Sequence, residues 1–126
     1  MPQKSVLIIE DSPELADTLH DILTLHGYTA IIALSGKEGI ATALRHHPDL
    51  IMLDIRLPDI NGYEVFQKIR EDEWGATARI MILTASESLE NISKNVNLPI
   101  EHILFKPDSS VVSLVERIEQ RLNEKI

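Results

Sequence analysis

Leu50-Ile51-Met52-Leu53-Asp54 is a run of four large apolar residues closed by a carboxylate. A run this short and this continuous suits a strand buried on both faces, as in a parallel sheet covered by helices. Three further runs end in the same way: Val6-Leu7-Ile8-Ile9 before Glu10 and Asp11, Ile80-Met81-Ile82-Leu83 before Thr84, and Ile103-Leu104-Phe105 before Lys106. If these are neighbouring parallel strands, their polar ends share one edge of one sheet. Three carboxylates, a hydroxyl and an ammonium then converge in a small crevice.

Outward from these runs, segments of strand length alternate with segments of helical period along the whole chain, the pattern of a doubly wound α/β fold. Strands are predicted near 4–9, 28–33, 49–54, 79–84 and 102–105. Between them, Leu15, Leu19, Ile22 and Leu23 share a helical face, as do Ile40, Ala43 and Leu44, then Val65, Phe66 and Ile69, then Leu89, Ile92 and Val96. A last stripe runs through Val111, Leu114, Val115, Ile118 and Leu122, and Glu116, Arg117, Glu119, Gln120 and Arg121 read as its solvated face. Ser12 is placed to cap the first helix with Pro13 at its first position, and Gly27 to close it. His46-His47-Pro48 ends the second helix, Asn61-Gly62 opens the third, and Pro99 stops the fourth early.

The 126 residues suffice for one domain, spanning 1–126, with a sizeable core. Twelve basic against twenty acidic residues give a formal charge of -8, which argues against direct nucleic-acid binding. No apolar run reaches membrane-spanning length, there is no signal-peptide pattern, and there is no cysteine, so a cytoplasmic location is the expectation.

Glu10, Asp11 and Asp54 repel one another unless a proton or a cation intervenes. An all-oxygen set with neither Cys nor His nearby selects a hard ion, and Mg²⁺ is the natural choice. Lys106 adds a fixed positive charge. Together these are the parts needed to bind a hard cation and move a phosphoryl group. A dinucleotide or flavin site would instead want a Gly- or hydroxyl-rich first turn, whereas this one is Glu-Asp-Ser-Pro. Asp54-Ile55-Arg56 also fails the pattern of haloacid-dehalogenase-like phosphatases, which have a second Asp where this chain has Arg56.

Four motifs in order, Ile8-Ile9-Glu10-Asp11-Ser12, Leu53-Asp54-Ile55-Arg56-Leu57-Pro58-Asp59-Ile60-Asn61-Gly62, Leu83-Thr84-Ala85 and Phe105-Lys106-Pro107, resemble the receiver domain of two-component response regulators over essentially the whole chain. The resemblance implies a five-stranded parallel sheet in the order 2-1-3-4-5 with five helices, a flavodoxin-like receiver fold. It implies that Asp54 accepts a phosphoryl group from a histidine kinase or histidine phosphotransfer protein. Mg²⁺ would be held by Asp11, Asp54 and the backbone carbonyl of Arg56, with Glu10 acting through water. Thr84 and Lys106 would bind the phosphoryl group, and Pro107, cis in the family, would aim the lysine. Such a domain is a phosphoacceptor switch rather than an enzyme acting on other molecules. It signals to an output protein or effector domain, in some receivers through a phosphorylation-dependent dimer. A free-standing regulator and a receiver from a hybrid kinase or transcription factor fit equally.

The chain departs from the family at two places. Ile103 occupies the position where receivers usually carry Tyr or Phe, and Pro99-Ile100 replaces a small pair before the fifth strand. Arg56 and Ser86 lie where the family tunes phosphoryl lifetime. The alternative from a different class is a pseudo-receiver, a phosphorylation-independent interaction module. A metal-dependent phosphatase is the enzyme alternative, without a second acid/base. Quenching of Trp74 fluorescence by Mg²⁺ separates these only if Trp74 lies near the crevice; the residue is otherwise read as covering a helix end.

Overall fold

The computed structural model describes residues 3–85, 88–99, 102–105 and 111–123. Five strands alternate with five helices: β1 (Ser5–Ile9), α1 (Pro13–Leu25), β2 (Thr29–Ala33), α2 (Gly36–His46), β3 (Leu50–Asp54), α3 (Gly62–Glu71), β4 (Ile80–Thr84), α4 (Leu89–Val96), β5 (Ile103–Phe105) and α5 (Val111–Asn123). All strands are parallel, in the order β2-β1-β3-β4-β5. Each begins one residue later than the hydrophobic runs predict and ends where they predict. The carboxyl ends of β1, β3, β4 and β5, which matter for the site, were the better defined in sequence because a polar residue marks them.

The period-2 alternation of the strands divides the core in two. Leu7, Ile9, Ile51, Leu53, Ile80, Ile82 and Ile103 face one layer with Ala43 of α2, Val65, Phe66 and Ile69 of α3, and Ile92 and Val96 of α4. Val6, Ile8, Leu50, Met52, Met81, Leu83 and Leu104 face the other, with Ala16, Leu19 and Leu23 of α1 and Leu114, Ile118 and Leu122 of α5. Burial on both faces is why β1, β3 and β4 read as unbroken apolar runs. Each large apolar side chain so buried is worth roughly 1.5–3 kcal/mol against leaving it in water.

The helix boundaries follow local chemistry. Ser12 caps α1, its hydroxyl accepting from Leu15 N, with Pro13 at the first position and Gly27 just beyond the end at φ 89°. His47 closes α2 in the left-handed region, and Asn61 caps α3 by accepting from Glu64 N. The fourth helix does stop early, at Val96, but it is Asn97 that ends it, by turning left-handed at φ 53°; Pro99 lies beyond the cap.

One expectation is corrected on α5. Arg117 is half-buried and donates to Ile103 O at 2.8 Å, and Arg121 is 7% exposed and donates to Ile80 O at 3.4 Å. Both flank the Leu114–Ile118–Leu122 stripe, and their long stems carry the guanidinium heads to carbonyls of the sheet. Ile103, by contrast, is the packed strand residue its apolar side chain implies, 1% exposed.

Candidate functional site

β1 and β3 are adjacent, with Ile9 opposite Leu53, so Glu10 and Asp54 are the next residues along on neighbouring strands. Asp11 follows at the start of the turn into α1. One carboxylate oxygen from each of Glu10, Asp11 and Asp54 lies within 4.8 Å of the others. Glu10 and Asp54 are 1% and 4% exposed, while Asp11 is open to solvent. At such separations each pair of charges repels by on the order of 3 kcal/mol at an effective dielectric constant near 20. A cluster like this is held together by the fold and favours an added cation.

Backbone amides aim two of these carboxylates. Ser12 N donates to Glu10 Oε2 at 3.0 Å, and Arg56 N donates to Asp54 Oδ1 at 3.0 Å. Both are turns of two residues, so the chain leaves each strand end by folding over its own acid. Thr84 is 3% exposed at the end of β4, one residue beyond Leu83, the register partner of Asp54. β5 brings Phe105 opposite Thr84. Lys106, Pro107 and Ser86 lie outside the described residues.

The loop after Asp54 carries two features that its sequence concealed. Gly62 N donates to Ile55 O at 2.7 Å, and a Cβ at Gly62 would stand 2.5 Å from both Asp54 O and Ile55 Cα, so only glycine lets α3 start against the end of β3. Asp59 reaches across to α2, accepting from Gly36 N at 2.8 Å and Lys37 N at 2.9 Å. The Lys37 and Gly36 amides hold its carboxyl down at about 2, despite its exposure to water. Proximity in sequence could not show this pairing. The partners lie 23 and 22 residues away, and an Asp after Pro58 reads as an ordinary turn residue.

Trp74 is not near this pocket. It stacks on His47 with ring centroids 4.5 Å apart and 6° between planes, and it shares a shallow cavity with Asp49 and Arg79, which precede β3 and β4. That is the amino edge of the sheet, opposite the acids, so Trp74 is no reporter of the crevice.

Fold and pocket together define a flavodoxin-like α/β protein with an acidic pocket at its topological switch point, between β1 and β3. The family model of the response regulator receiver domain matches residues 6–119, and the chain belongs to that family, the receivers of two-component systems. It is 35% identical over 102 residues to the DNA-binding dual master transcriptional regulator RpaA of a Synechocystis strain, covering 81% of this chain and 42% of that protein. The chain spans about half the length of the curated relatives it matches. A CheY-like receiver domain protein from Methanospirillum hungatei has a solved structure similar at TM-score 0.85 and 29% identity, covering 97% of this chain and 95% of that one. The receiver domain of the sensor histidine kinase PA1611 from Pseudomonas aeruginosa, solved with a magnesium ion coordinated in its active site cleft, matches at TM-score 0.86 over 98% of this chain and 100% of that one; at 24% identity it bears on the fold alone. Receivers of this family are signalling switches rather than conventional enzymes. Among the described residues no helix is long and apolar enough to cross a membrane.

Proposed function

We propose that this chain is a phosphorylatable receiver, with Asp54 as the acceptor of a phosphoryl group from a phosphohistidine on a kinase or phosphotransfer protein. The observation that carries the proposal is the clustering of Glu10, Asp11 and Asp54 at the carboxyl edge of the sheet, with Thr84 at the end of the next strand. The donor set is all oxygen and suits Mg²⁺, as Asp11 and Asp54 would bind it directly, the Arg56 carbonyl would complete the protein ligands and Glu10 would act through water. Bound there, the ion would neutralise charge on the transferring group and orient it.

Asp54 needs no general base, since a carboxylate is ionised at neutral pH. Its Oδ2 attacks phosphorus as the phosphorus–nitrogen bond breaks and the imidazole leaves with the electron pair, giving an acyl phosphate on Asp54. Oδ1 meanwhile accepts from Arg56 N, which fixes the plane of the carboxylate for in-line attack. Thr84 would donate its hydroxyl to a phosphoryl oxygen, and Lys106 would pair with another. The acyl phosphate hydrolyses in time, so the output, a change in binding to a partner protein or attached domain, is temporary. Ile103 in the core removes the aromatic side chain that commonly reports this change in receivers, so any shift at Thr84 must be relayed by other residues. A location in the cytoplasm, with the kinase and the output partner, belongs to the same proposal.

Intact-mass spectrometry after incubation with acetyl phosphate tests it. The wild type should gain one phosphoryl group only when Mg²⁺ is present, and Asp54→Asn should gain none. A wild type unlabelled by both acetyl phosphate and a phosphohistidine donor would instead favour the pseudo-receiver.

A further inference from the structure

Three amides in the first turn of α2, those of Gly36, Lys37 and Glu38, have no helical carbonyl four residues back, and all three are satisfied. Ser35 takes one of them, its hydroxyl accepting from Glu38 N at 3.2 Å, while its carbonyl accepts the first regular helical bond, from Gly39 N at 2.9 Å. The other two, Gly36 N and Lys37 N, donate to the two oxygens of Asp59, which belongs to the loop after β3. An anion is thus supplied to the positive end of α2 by a distant segment of the same chain. Apolar contact reinforces the junction, because Ile60 and Val65 occupy the space that a Cβ on Gly36 would fill, with Ile60 Cγ1 2.5 Å and Val65 Cγ2 2.9 Å from that position.

The same loop is fastened at its base. Ile55 N donates to Leu83 O at 3.2 Å and Gly62 N to Ile55 O at 2.7 Å, so its two ends meet. Between them lies a tip carrying Arg56, exposed apart from its amide bond to Asp54, and Asp59. Leu57 and Ile60 pack the tip against the core, and the Asp59 carboxylate adds the polar tie that joins it to the first turn of α2.

We propose that Asp59 is a positioning residue for the metal: by fastening the loop to α2 it holds the Arg56 carbonyl where a cation between Asp11 and Asp54 can take it. This rests on the receiver assignment of the pocket. The coupling runs both ways, because whatever Asp59 contributes to metal affinity, the metal returns to the Asp59 clamp.

Calorimetric titration with Mg²⁺ alone, on wild type, Asp59→Ala, Asp59→Asn and Ser35→Ala, tests the proposal. Ser35→Ala removes a cap of the same helix without touching the loop, so it measures what fraying of α2 does by itself. Asp59→Ala should weaken Mg²⁺ binding by about tenfold, the size expected for a residue that orients a ligand. Asp59→Asn, which keeps one acceptor oxygen, should fall between, and Ser35→Ala should stay within about twofold of wild type. Amide exchange gives a readout free of any reaction: Mg²⁺ should slow exchange at Gly36 and Lys37 in wild type, and leave it unchanged at these positions in Asp59→Ala. Wild-type affinity in both Asp59 variants, or an equal loss in Ser35→Ala, overturns the clamp while leaving the receiver assignment intact. Failure of the wild type itself to bind Mg²⁺ overturns both.

Discussion

At the scale of single residues, the acids that gather at the sheet edge were legible because Glu10 and Asp54 sit directly after apolar runs and Asp11 follows Glu10, where strand ends are marked by the first polar side chains. Asp59 was not legible, since its meaning depends on Gly36 and Lys37 arriving from another element. Arg117 and Arg121 misled for the opposite reason. On a helix rich in charge they read as solvent-facing, and only the packed structure shows their heads on the carbonyls of Ile103 and Ile80. Asp59 also carries a pH prediction. Its folded carboxyl titrates at about 2, below the unfolded value near 4, so its contribution to stability is fully present above that unfolded value and is lost as pH falls through the folded one. Urea midpoints of wild type and Asp59→Asn should therefore differ by a constant amount above pH about 4 and converge toward pH about 2. A gap that stays constant across that window would show that the carboxylate charge plays no part.

Among the elements, α4 shows how a boundary read correctly from sequence can have a different cause. Asn97 adopts φ 53° and its amide returns to Ser93 O, and Leu98 N donates to the same carbonyl at 3.2 Å. The helix is already closed there, two residues before Pro99. Pro99→Ala should consequently leave α4 at its present length, whereas Asn97→Val places a β-branched residue in the left-handed region and should cost about 1–2 kcal/mol. Asn97→Gly should be close to neutral. Thermal unfolding of the three variants checks this, and a longer helix by chemical-shift analysis in Pro99→Ala would return the role to the proline. The apolar faces of α1, α2 and α3 were predictable, because each packs one apolar stripe against one side of the sheet. What the stripes do not encode is which side, a property of chain crossover rather than of any one element.

Across the whole molecule, a core divided by a sheet whose central strands are buried on both faces supports three carboxylates at one edge, and the rest of the fold bears their repulsion. Mg²⁺ should relieve it. At a hundred times its dissociation constant the ion should raise the unfolding free energy of the wild type by about 2.7 kcal/mol. Asp54→Asn should be more stable than wild type without metal and should gain less from it, as followed by urea denaturation in either condition. Equal gains in both proteins would place the ion elsewhere. The order of strands and the identity of the acids were thus within reach of sequence, while the loop that serves them needed three dimensions. The central claim is that Asp54, and neither of its acidic neighbours, receives the phosphoryl group. The most direct measurement is borohydride reduction of the acetyl-phosphate-treated protein followed by peptide sequencing in a mass spectrometer, since hydride converts an acyl phosphate to an alcohol and so marks the carboxyl that carried it. Homoserine is expected at position 54 alone, and only when Mg²⁺ was present during phosphorylation; reduction at Asp11 or Glu10, or at no residue of a protein that carries the phosphoryl mass, would overturn the assignment.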